Sequence, residues 1–242
     1  MYDLLHLCWL EMRKTLSRSV LFSGLSVAIM MGLVVALRGR QFPGTFEVKH
    51  ALYFYGVAAE IFMAVLMAKA LGDEFYYKTS TALFSSSSSR TRVLFVKMLY
   101  NLWISLIFAI VAIGVDLVAE WILNQRVSLG FQIQMALRII PAYFLFAAAA
   151  GSFLTAVGTV TLNIVGPLIA YVVIFWLLPG TLELLLKEWL GLQGAGPLLA
   201  PLYLRSYLIR LEVSLGEAFA LSLFGLSCFL LAIGVLNRRD LR

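Results

Sequence analysis

The chain is 242 residues long, 62% hydrophobic and only 13% charged, with a formal net charge of +6. Soluble domains run at roughly 45–50% apolar and about 25% charged residues, so a water-soluble globule is excluded and lipid must solvate much of this surface. The basic residues cluster beside apolar stretches, where orientation signals sit, so no nucleic-acid partner is expected.

Residues 1–18 are the first element. Leu4, Leu5, Cys8, Trp9, Met12 and Leu16 recur at helical spacing, with Glu11, Lys14 and Arg18 elsewhere on the wheel, which predicts an amphipathic helix lying in the interface. His6 interrupts the apolar run, and Glu11, Arg13 and Lys14 follow it, so it lacks the order of a signal sequence. Cys8 and Cys228 have no metal-ligand spacing and read as small hydrophobes.

A spanning helix needs about 20 apolar residues. Six stretches qualify: Ser19–Leu37, Ala51–Leu71, Met98–Ala119, Ile139–Leu162, a short Ile164–Leu178 stopped by Pro179-Gly180, and Ala218–Leu236. Six spans leave no room for a soluble catalytic domain, so a single transmembrane domain is expected over 1–242. Between the fifth and sixth spans, residues 179–217 hold two short helical patterns, Thr181–Leu190 and Leu202–Leu211, around a Gly/Pro turn region. Neither can cross a bilayer, which predicts outer re-entrant half-helices.

With the N-terminus inside, the inner side holds Arg13, Lys14, Arg18, Lys69, Lys78, Arg90, Arg92, Lys97, Arg238, Arg239 and Arg242. That is eleven of the nineteen Lys and Arg, leaving eight outside. The bias predicts a multi-pass protein of the cell membrane with both termini cytoplasmic.

Catalytic patterns are missing. No G-x-x-x-x-G-K-[ST] loop is present, so nucleotide hydrolysis is not expected on this chain. Gly225-Leu226-Ser227 has no base for a serine nucleophile, since His6 and His50 lie outside the spans. Asp116 stands alone as an intramembrane aspartate, and no His/Cys/Asp/Glu cluster has metal-ligand spacing. No catalytic residue, metal site or cofactor is therefore assigned to this chain.

Glu60 lies near the middle of the second span, where an ionised group costs on the order of 2.5–3.5 kcal/mol. Two readings stay open: a pathway or proton-coupling residue, or an acid satisfied by a neighbouring helix or held neutral by desolvation. Lys69 is out of phase with it and is expected to snorkel and pair with Asp73 at i,i+4. Ala147, Gly151, Thr155 and Gly158 line one side of the fourth span and read as a helix-packing stripe, its partner open.

The one long polar interruption runs from Glu74 to Lys97, within a connection drawn over 72–97, and includes the run Ser85–Ser89, read as a helix-ending turn. From Glu74, Thr79 follows at five, Leu83 and Phe84 at nine and ten, Ser89-Arg90 at fifteen and sixteen, and Lys97 at twenty-three. This resembles the cytoplasmic loop of type-2 ATP-binding-cassette exporter permeases, which reads roughly Glu, Gly-Thr, Leu-Leu, Pro, Ser-Arg, Ile-Leu, Gly-Lys at those offsets. Lys78 stands where glycine is usual and Ser87 where proline is usual. The segment around Glu11, Arg13 and Lys14 is similar to that family's interfacial elbow helix, 179–217 to its re-entrant region, and Asn237–Leu241 to its basic tail.

The resemblance implies a coupling helix over about Phe75–Ser89, including Tyr76, Lys78, Thr79, Leu83 and Phe84, with Glu74, Arg90 and Lys97 shaping its ends. It also implies a separate ATPase subunit that carries ATP and Mg, and a second permease subunit, identical or not. The implied function is export of an amphipathic or hydrophobic substrate such as a peptide antibiotic, a drug or a lipid. The alternative is an ion- or proton-coupled transporter or channel that uses Glu60.

Overall fold

The computed structural model describes residues 2–16, 19–77, 90–124, 128–182 and 200–238. The described residues form eight α-helices and no strand. They are α1 (Tyr2–Leu16), α2 (Ser19–Gln41), α3 (Val48–Tyr76), α4 (Arg90–Ile122), α5 (Leu129–Thr161), α6 (Val165–Val172), α7 (Leu204–Arg210) and α8 (Leu215–Arg238). A π-helical turn, Val173–Leu177, prolongs α6. Among the described residues, six helices are long and apolar enough to cross a membrane: α2, α3, α4, α5, the α6 continuation Val165–Leu182, and α8. The chain has the build of a multi-pass helical membrane protein.

Each span coincides with an apolar stretch of the sequence, and most run past it. Several helix starts lie at caps, not where hydropathy falls. The Glu47 N–H donates to His50 Nδ1 at 2.9 Å ahead of α3, and Ser214 and Glu217 exchange hydrogen bonds at the start of α8. At 33 residues each, α4 and α5 reach about 50 Å, longer than the ~30 Å hydrocarbon core.

Two expectations need correction. Pro179-Gly180 does not stop the fifth span, which stays helical to Leu182. The wide π turn lies just ahead of the proline, with the Leu178 N–H donating five residues back to the Val173 carbonyl. There the helix absorbs a missing donor and a bulky ring. The 72–97 connection is also shorter than drawn, because α3 runs through Tyr76 and α4 starts at Arg90. Charge alone did not end either helix.

The core is centred on α5. Ala147, Ala149 and Ala150 are fully buried, and 72% of the apolar stretch of α5 is enclosed by protein, against 28% for α2 and 22% for α8. The outer helices turn Phe22, Met30, Leu226 and Leu230 outward, as helices in contact with lipid do. The small-residue stripe packs inside this chain. At Gly151 an added Cβ would come within 2.6 Å of Asn101 on α4, so only glycine allows that approach.

The helix pattern at Leu202–Leu211 folds as a short 3₁₀ turn, Ala200–Tyr203, followed by α7. It is wedged into the bundle, with Leu204, Tyr207 and Leu208 buried. Its backbone lies on α3 where Gly56 leaves space: the Leu208 carbonyl oxygen is 3.2 Å from where a Cβ would be. Much of the other half-helix pattern, the Gly/Pro region, the serine run and residues 239–242 of the basic tail lie outside the described residues.

Candidate functional site

Glu74 and Lys97, the two ends of the polar island, meet in space. Lys97 Nζ donates to Glu74 Oε1 at 3.0 Å and to Glu11 Oε1 at 2.6 Å. Lys14 Nζ donates to the same Glu74 oxygen at 3.0 Å. The four side chains form an alternating chain, Glu11–Lys97–Glu74–Lys14, across α1, α3 and α4. The Lys97 side chain is 1% exposed and that of Glu74 9%. Burying an ammonium is tolerable only with close opposite charge, and here two carboxylates provide it.

The sequence explains why these helices run on through charge. Lys69 and Asp73 pair at 3.3 Å on successive turns of α3. Two residues further, Phe75 joins Leu71, Val93, Leu94, Ala156, Ala232 and Leu236 in an apolar cluster. Arg90 Nη1 donates to the Leu236 carbonyl at 2.7 Å, which satisfies an acceptor at the C-terminal end of α8. The termini of α1, α3, α4 and α8 are thus tied together at one end of the bundle.

The island residues fall into three groups. Glu74, Phe75, Arg90 and Lys97 join Glu11 and Lys14 in this tie, and their inward placement makes them supports for the 77–89 connection. Tyr76 is 71% exposed at the rim, and Arg13 is exposed on α1. Lys78, Thr79, Leu83 and Phe84 lie outside the described residues.

Glu60 is elsewhere, fourteen residues back along α3 or about 21 Å from Glu74. It is fully buried. Tyr171 Oη and Trp176 Nε1 donate to its Oε1 at 2.8 and 2.9 Å. Arg205 Nε from α7 stands 3.0 Å from Oε2. This is a charge contact without hydrogen-bond alignment, so Oε2 has no donor among the described residues. The Arg205 guanidinium also lies 4.0 Å from the Trp176 ring centroid.

The π turn builds this pocket. Tyr171 and Trp176 are five residues apart and would diverge on a regular α-helix. One turn of π-helix holds about that many residues and brings both onto Glu60.

Sequence reasoning missed Tyr171, Trp176 and Arg205. The available signal was an arginine inside a short apolar segment, facing a chain with one unpaired mid-span acid.

Asp116 is not alone. α4 continues past Ala119 to Ile122 and places Glu120 one turn beyond it, also buried. The grouping was missed because the apolar run ends at Ala119 whereas the helix does not.

Neither protein-family models nor curated proteins give a match to this chain.

Proposed function

We propose that the chain is the transmembrane permease subunit of an ATP-driven exporter, powered by a separate ATPase that docks on the 77–89 connection. The observation that supports this best is the charge chain Glu11–Lys97–Glu74–Lys14, buried at Lys97 and Glu74. It joins the N-terminal helix to both helices that flank the connection. An element pushed at 77–89 moves α1, α3 and α4 as one body, and the Arg90–Leu236 link carries α8 with them. A chain lacking a nucleotide loop needs such a rigid input if ATP is to drive it.

In this reading α1 is an interfacial elbow helix, α7 is one half of an outer re-entrant pair, both termini are cytoplasmic, and a second permease subunit completes the membrane domain. The protein resides in the cell membrane and moves an amphipathic or hydrophobic substrate. Glu60 then holds α7 and α6 against α3.

Affinity purification of the full chain from its native membrane tests this reading. A stoichiometric ATPase partner is expected, and its absence under mild detergent overturns the proposal. Phe84→Glu is the better docking variant, because Arg90→Glu would also release the Leu236 carbonyl. It should abolish co-purification and leave the folded chain monodisperse.

A further inference from the structure

Buried acids also gather at the helix ends remote from the island. A cavity of about 420 Å³ opens between the start of α3, the last turns of α4 and the first turns of α5. Asp116 and Glu120 line it from α4, 3% and 4% exposed. Glu120 Oε2 accepts a hydrogen bond from Gln132 Nε2 at 3.1 Å. Asp116 Oδ1 is buried and has no hydrogen-bond partner among the described residues. At the mouth, exposed Lys49 is engaged by Glu47 at 2.7 Å. Three carboxylates therefore face one ammonium, and two acids one helical turn apart disfavour each other.

Among the described residues the cavity lining holds more acid than base, and its walls indicate which kind of cation would suit it. No group of three His, Cys, Asp or Glu side chains among the described residues is arranged to hold a metal ion. Phe131 and Met135 supply an aromatic face and a polarizable thioether beside the acids. The volume far exceeds that of a dehydrated metal ion.

We propose that this cavity binds an apolar organic cation, with its charge against Asp116 and Glu120 and its hydrocarbon body against Phe131 and Met135. The site stands on the cavity alone and does not require the exporter reading.

The test is equilibrium binding of tetraphenylphosphonium to the full chain in phosphatidylcholine nanodiscs, with empty discs subtracted. Tetraphenylborate serves as the anion of matching size. The expected result is saturable cation binding at least about tenfold tighter than that of the anion. Asp116→Asn and Glu120→Gln should each weaken it by about fivefold or more, with unchanged size-exclusion profiles. Lys49→Glu at the exposed mouth should tighten it, which keeps the test sharp if the buried variants fail to fold.

Equal binding of the two ions overturns the proposal. So does binding that none of the three substitutions moves, or full displacement by millimolar calcium or sodium. Arg126 follows Glu120 by six residues and lies outside the described residues. Arg126→Ala should leave cation binding intact or tighter. Binding seen only in that variant would assign the cavity to the chain's own guanidinium and end the proposal.

Discussion

The two ends of the bundle treat buried charge in opposite ways. At the island end, Lys97 and Glu74 each touch two partners of opposite sign, and the group of four is neutral. At the far end, Asp116 and Glu120 stand one turn apart and no described cation lies against either. Compensation costs chain, since it requires a whole N-terminal helix to lie across α4. The first arrangement holds helices in place. The second sets two acids against a cavity.

The largest effect should come from breaking the compensated end. Lys97→Met would remove the ammonium shared by half-buried Glu11 and buried Glu74, at a cost of about 3–5 kcal/mol. Fluorescence-detected size exclusion after heating should show most of the monodisperse peak lost. A peak as heat-resistant as wild type would mean that the charge chain is not holding α1.

Glu60→Gln should come next, at about 1–3 kcal/mol. The amide can still accept from Tyr171 and Trp176 but loses the charge that Arg205 faces. Protease access to the segment ahead of α7 should rise in this variant, whereas in Lys97→Met the N-terminus should be cut first. Matching patterns in the two variants would make the ends one cooperative unit and erase the distinction.

Asp116→Asn is expected to have the opposite sign to Lys97→Met. It removes a buried acid that has no counter-charge among the described residues, so stability should stay within about 1 kcal/mol of wild type or increase. A loss as large as that of Lys97→Met would show that Asp116 has a structural counter-charge. The smallest effect belongs to Lys49→Ala, within about 0.5 kcal/mol and vanishing at high salt, because that pair is solvent-exposed.

The spans were legible because a bilayer imposes a length on apolar runs, and that length is visible without tertiary knowledge. Their ends were not. Hydropathy places a boundary at Glu74, Lys97 and Glu120, yet each is helical, because the group that satisfies it or the cap that ends the helix lies elsewhere. Lys97 is satisfied by Glu11, 86 residues away, a pairing that no local pattern encodes.

Glu60 shows a second kind of blindness. Its partners Tyr171 and Trp176 share a face only through a π turn, and a reading at 3.6 residues per turn separates them. The island at 74–97 was recognisable as unusual and its two ends as important. That those ends touch each other, with Glu11 of α1 on the same ammonium, required the fold.

The order in which charges leave the ribosome adds a consequence for biogenesis. Glu11 and Glu74 both precede Lys97, so when that lysine enters the membrane its counter-charges are already present. Glu60 is synthesised 111 residues before Tyr171 and 116 before Trp176, and Arg205 comes later still. At translation speeds of roughly 5–20 residues per second, the acid waits on the order of ten seconds for its guanidinium. The second span therefore carries its acid unpartnered while most of the bundle is made, and α7 brings the last of its partners.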